Sequence, residues 1–121
     1  MLSGVVCAQD AQEYQGWMKT VAGTAGSLRK NIQAQNGSDT AKDAQKLSET
    51  FQQVQSYWEK NNASDAVNFA KTARDASEQL AQAASAGKWD DAAAQLKTVQ
   101  GTCAGCHAAH REGAAGSFKI K

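Results

Sequence analysis

The chain has 121 residues, a length that provides for one domain built around one hydrophobic core. Thirteen Lys and Arg side chains nearly balance twelve Asp and Glu side chains, and like charges do not form runs, so we expect no nucleic-acid-binding surface. Proline is absent and alanine is plentiful, and because proline interrupts helices while alanine favours them, the composition predicts long helices.

The first residues resemble the end of a secretory signal. They form a short apolar segment with Val6 and Ala8 at the positions that small residues take before a cleavage point. The segment is too short to span a bilayer. We therefore expect residues 1–8 to be a residual leader, residues 9–112 to form the folded domain and residues 113–121 to be a flexible tail. This predicts an exported, periplasmic protein without membrane insertion; an ordinary frayed N-terminus is the alternative.

The first predicted helix starts at Asp10. Its apolar positions recur at steps of one, three and four residues, as in an amphipathic helix: Tyr14, Trp17, Met18, Val21, Ala25, Leu28 and Ile32. Asn36-Gly37 is predicted to end it, because these residue types tolerate left-handed backbone geometry.

The second and third helices show the same spacing. Ser38 or Asp39 is expected to cap the second helix. Its apolar positions are Ala44, Leu47, Phe51, Val54 and Trp58. Asn61-Asn62-Ala63 is expected to break it, and Ser64 to cap the third helix. The inward positions of the third helix are Ala66, Phe69, Ala73, Ala76, Leu80 and Ala83, and Gly87 is expected to end it.

The fourth helix carries both apolar and chemically active residues on one face: Trp89, Ala92, Leu96, Val99, Cys103, Cys106 and His110. Four amphipathic helices of roughly twenty or more residues, each about 30 Å long, are joined by short connections. The chain is therefore predicted to be all-α, an antiparallel up-down four-helix bundle.

The segment Cys103-Ala104-Gly105-Cys106-His107 matches the attachment signature of a c-type haem. Two thiols at this spacing can add to the two vinyl groups on one porphyrin edge, and the next residue can offer an imidazole nitrogen to the iron. On a helix, Cys103, Cys106 and His107 project toward the same side. The motif predicts one covalent haem c per chain, with His107 as an iron ligand.

Other uses of these residues fit less well. A zinc site made of Cys103, Cys106, His107 and His110 would need one straight helix to surround a tetrahedral ion. A reactive thiol pair normally sits at a helix N-terminus, where the helix dipole lowers the thiol pKa, whereas this pair lies toward the C-terminal end. Neither a Ser-His-Asp set nor a carboxylate pair stands out, so we expect no enzymatic activity.

The position of the motif, late in a four-helix chain and with Arg111 four residues after His107, resembles the class II cytochromes c. This family contains cytochrome c prime and its low-spin, methionine-ligated relatives. Ala86-Gly87-Lys88-Trp89-Asp90 and Trp17-Met18-Lys19 support the resemblance, which covers about residues 10 to 112. It implies a haem between the first and last helices, with His107 as the proximal ligand and a first-helix residue on the distal side.

Met18 stands where the family places the distal residue. A thioether ligand there would complete a His/Met pair, raise the reduction potential and leave no open position on iron, as suits an electron carrier that serves redox partner proteins. If Met18 only fills space, as methionine often does, the iron would be five-coordinate and could bind nitric oxide or carbon monoxide. A haem-free structural bundle is the third alternative.

Three further residues are candidates for haem contact. Trp17 is expected to pack against the core or the haem, and Ala22 to leave room for the ring to approach the backbone. Arg111 is expected to pair with a propionate or shield His107, unless it is simply a cation favoured at the end of a helix.

The family commonly has a basic side chain four residues before the distal position, where this chain has Tyr14. Related bundles often pair through their first two helices, so both a homodimer and a monomer remain open.

Overall fold

A computed structural model describes the backbone of residues 3–112 and 119–120 and the side chains of residues 13–103. The four helices are α1 (Ser3–Gln33), α2 (Gly37–Lys60), α3 (Ser64–Ser85) and α4 (Trp89–His110). After α4, the two-residue strand β1 (Arg111–Glu112) pairs antiparallel with β2 (Lys119–Ile120). The prediction of a four-helix, all-α domain is confirmed.

The helices pack as a bundle around one core. α2 lies against α1 and α3, and α3 against α4, whereas the contact between α1 and α4 is much sparser. Of the 23 predicted apolar positions whose side chains the structure describes, 17 are buried. The other six pack against the core while remaining partly exposed: Trp17, Met18, Ala25, Phe69, Trp89 and Cys103. The apolar stripes therefore meet in the centre, and the seam between α1 and α4 is the least tightly packed.

Asn36 is the N-cap of α2, although its backbone N–H also donates to Asn31 O at 2.9 Å in the turn that ends α1. Its Oδ1 accepts a hydrogen bond from the backbone N–H of Asp39 at 3.2 Å, and its Nδ2 donates to Asp39 Oδ2 at 2.8 Å. The left-handed residue expected at Asn36-Gly37 is Gln35 instead, so α1 ends earlier than predicted, at Gln33, and the prediction that Ser38 or Asp39 caps α2 was wrong. An N-cap residue and the residue three positions later can satisfy each other's polar groups, and this reciprocal pair moves the helix start to Gly37.

All three inter-helix connections follow one backbone pattern. The left-handed residues are Gln35, Asn62 and Gly87, with φ of 54°, 56° and 73°. Each is flanked by the paired hydrogen bonds of a Schellman motif, such as Lys88 N–H to Ala83 O at 2.8 Å and Gly87 N–H to Ala84 O at 3.1 Å. The predicted ends of α2 and α3 are confirmed.

Ser64 is the first residue of α3 and not its cap. The N-cap position is Ala63, which makes no side-chain capping bond. The Schellman turn at the end of α2 uses the Ala63 N–H, which donates to Trp58 O at 3.1 Å. Because that turn runs directly into the next helix, α3 begins one residue after Ala63, and the prediction that Ser64 caps it was wrong.

The expected leader and tail are only partly described. Residues 3–8 belong to α1, while residues 1–2, 113–118 and 121 lie outside the described residues, so the division into leader, domain and tail stays a prediction. No helix in the described part of the chain is long and apolar enough to cross a membrane.

Candidate functional site

The Cys-x-x-Cys-His segment lies in the last two turns of α4, which ends at His110. This confirms that the segment is helical and close to the helix C-terminus. The Cys103 side chain is half-buried and packs against the core. The side chains of Cys106, His107, His110 and Arg111 lie outside the described residues.

A small pocket joins the first and last helices beside Cys103. Each of the four helices contributes two residues to its wall: Tyr14, Met18, Phe51, Val54, Phe69, Ala70, Thr102 and Cys103. Met18, the predicted distal ligand, and Cys103, one of the two predicted haem tethers, therefore line the same pocket.

The chemistry of the pocket wall fits a porphyrin. Phe51 is 4% exposed and Val54 is 2% exposed, and with Phe69 they form an apolar surface against which a flat macrocycle can pack. The cavity has a volume of only about 10 Å³, far below the ~300–1,000 Å³ of typical ligand pockets. Admitting a haem therefore requires α1 and α4 to move apart, and the seam between them is the most sparsely packed in the bundle.

Tyr14 anchors the α1 side of this pocket. It is 5% exposed, and its Oη accepts a hydrogen bond from Trp58 Nε1 at 3.1 Å. Its ring lies 5.5 Å from that of Trp58 and 4.9 Å from that of Tyr57, centroid to centroid. The α1 side of the pocket therefore presents a buried phenol that is held by α2.

Two of the predicted contact residues lie away from the pocket. Trp17 is half-buried, contacts Tyr14 edge-on with ring centroids 6.1 Å apart, and lines a separate groove between α1 and α2 with Tyr57. Ala22 is exposed and is not part of the pocket wall. The structure therefore brings together Met18 and Cys103, and places Trp17 and Ala22 elsewhere on α1.

Sequence reasoning assigned several pocket residues only to the general core. Phe51, Val54 and Phe69 were expected to face inward, and neither Ala70 nor Thr102 was singled out. One signal was available: Phe69 is the only aromatic residue in α3, whose inward face is otherwise mostly alanine. A single large ring among small residues indicates a local change in packing at that level of the bundle.

Comparison with models of known protein families, with curated proteins and with solved structures found no match. Among the described side chains, no group of three or more His, Cys, Asp or Glu residues could hold a metal ion. That finding does not bear on the Cys-x-x-Cys-His segment, since the side chains of Cys106 and His107 lie beyond residue 103.

Proposed function

We propose that this protein is a monohaem c-type cytochrome, similar to the class II family, that carries single electrons and is not an enzyme. In this proposal Cys103 and Cys106 hold the haem covalently, His107 is its proximal ligand and Met18 its distal ligand. The observation that supports it is the shared apolar pocket of Met18 and Cys103, because a haem tethered at Cys103 would bring its distal face toward α1.

The proposal includes an antiparallel up-down order of the helices. Tyr14, in the first half of α1, contacts Trp58 near the end of α2, while Asn31, near the end of α1, donates to Asp43 near the start of α2 at 2.9 Å. These two contacts fit α1 and α2 running in opposite directions. A Cβ added to Gly37, at the start of α2, would meet the carbonyl of Ala84, near the end of α3, at 3.4 Å, which supports the same alternation for α2 and α3.

Each part of the site has a defined task in this proposal. When bound, the haem supplies an iron that changes between the ferrous and ferric states by one electron. Met18 fills the distal position and blocks small ligands. The apolar wall formed by Phe51, Val54 and Phe69 excludes water and disfavours the extra positive charge of the ferric state, which raises the reduction potential.

A five-coordinate cytochrome c prime that binds nitric oxide or carbon monoxide is the second candidate. Met18 also packs against the hydrophobic core, as expected of a methionine that only fills space. In that case the same pocket would admit a diatomic gas beside Met18 and Phe69.

The absorption spectrum of protein expressed with the haem-attachment machinery tests both candidates. We expect a low-spin spectrum with a sulfur-to-iron band that disappears in Met18→Leu. The control is Ile32→Leu, a volume-conserving change in a core residue of α1 that is remote from the pocket wall, and it should keep the band. A high-spin spectrum that changes with carbon monoxide would favour the second candidate. The absence of a Soret band would contradict both and leave a haem-free structural bundle.

The expected cellular setting belongs to the same proposal. We place the protein in the periplasm, on the basis of its leader-like first residues, and expect redox partner proteins to exchange electrons with it. The second-order rate of electron exchange with a soluble periplasmic redox protein, measured against ionic strength, would test this role.

A further inference from the structure

The hydrogen bond between Tyr14 and Trp58 joins α1 to α2 next to the pocket. Trp58 is 4% exposed, and its Nε1 donates to Tyr14 Oη across 3.1 Å. A buried indole N–H without an acceptor is costly, so this bond favours one position of the two helices relative to each other. It therefore fixes the turn of α1 that contains Tyr14.

That turn also carries Met18. Residues four apart on a helix lie on the same side, one turn from each other, and both Tyr14 and Met18 line the pocket. A methionine side chain has three rotatable bonds, so the position of its sulfur depends on the helix backbone that supports it. A bond that fixes Tyr14 therefore also fixes the backbone of Met18, from which its side chain extends to the pocket.

Other supports for this part of α1 are weaker or more distant. The packing of α1 on α4 is sparse, although the proposed haem would lie between these two helices. The hydrogen bonds from Ser27 and Asn31 to Asp43 also join α1 to α2, but they lie more than two turns beyond Met18. The Tyr14–Trp58 hydrogen bond lies closer to Met18 than these two bonds do, and beside it Trp17 contacts the Tyr57 ring edge-on with centroids 6.2 Å apart.

We infer that Tyr14, oriented by the indole N–H of Trp58, is a positioning residue that keeps the Met18 thioether at the distal face of the haem. This inference rests on the proposed function. Removing a group that is hydrogen-bonded directly to a metal ligand commonly costs 10- to 100-fold in metal affinity or activity; Tyr14 acts on Met18 through the helix backbone, so we expect an effect at the lower end of that range. Loss of the bond would release Met18 from part of its support and open the distal position to small ligands.

The test compares two substitutions that each remove one buried hydroxyl. Tyr14→Phe keeps the ring and its aromatic contacts but leaves Trp58 without this acceptor. Thr40→Val is the matched control: Thr40 is 0% exposed, its hydroxyl donates to Asn36 O, and it lies at the opposite end of α2. Both haem-loaded variants are examined for the sulfur-to-iron band and titrated in the ferrous state with carbon monoxide.

We expect Tyr14→Phe to weaken the band and to raise the affinity for carbon monoxide by about tenfold or more, while Thr40→Val matches the parent. Trp58→Phe should reproduce the effect, and the double variant should add little, because both changes break the same bond. If Tyr14→Phe behaves like Thr40→Val while Met18→Leu still abolishes the band, the inference is wrong and the proposed function stands. If the parent lacks the band, both are wrong.

Discussion

Replacing Phe51 by alanine separates the role of the pocket from that of the core as a whole. The Phe51 ring is 4% exposed and packs in the pocket wall. An aromatic side chain buries roughly 150–250 Å², which at about 25 cal/mol per Å² corresponds to about 4–6 kcal/mol of transfer free energy. Measured Phe→Ala changes cost about 3–5 kcal/mol. We therefore expect the free energy of unfolding of the haem-free protein to fall by about 4 kcal/mol.

Leu47→Ala is the matched control. Leu47 lies one turn before Phe51 on the same stripe of α2, is 0% exposed and does not line the pocket, and its truncation should cost about 2–5 kcal/mol. Urea unfolding of the haem-free proteins measures both losses. Domains of this kind are stable by about 5–15 kcal/mol, so the milder Phe51→Leu is included in case a truncated variant does not fold.

The two variants should differ once haem is attached. Phe51→Ala removes a ring that lines the same pocket as Met18, so its haem should show a smaller low-spin fraction and bind carbon monoxide more readily, whereas Leu47→Ala should keep the parent spectrum. Equal spectral changes in both variants would mean that the spectrum follows stability alone. That result would refute the assignment of this pocket as the haem site.

Two further predictions concern the tether and the first connection. Replacing Cys103 and Cys106 by alanine should abolish covalent haem retention, seen as loss of haem-dependent peroxidase staining after denaturing electrophoresis. Because Cys103 packs on the core, the double variant should also be less stable by about 1 kcal/mol or more. A double variant as stable as the haem-loaded parent would contradict this expected loss of stability. Asn36→Ala should remove the N-cap bond to Asp39 and lower the free energy of unfolding by about 1 kcal/mol without changing the haem spectrum. The control variant Ser38→Ala should have nearly the stability of the parent. A larger loss of stability in Ser38→Ala than in Asn36→Ala would indicate that α2 starts later than the structure shows.

Much of the fold followed from local patterns. The spacing of apolar residues identified four helices and most of the buried positions, because helical periodicity decides which residues share a face. Gly87 marked a helix end, since glycine adopts positive φ without steric cost. The start of α2 was harder to predict: Asn36, Ser38 and Asp39 are all favourable cap residues, and the choice depended on the left-handed turn at Gln35.

The sequence by itself determined the helices, their apolar stripes and the position of the Cys-x-x-Cys-His segment near the end of α4, because each depends on residues within a few turns of one another. Only the tertiary structure decided that Met18 and Cys103 share a pocket, that Trp17 and Ala22 lie outside it, and that Tyr14 bonds to Trp58. These relations join residues from different helices. They depend on how the helices rotate and pack to bury their stripes together, and the period of a single helix carries no information about its partner.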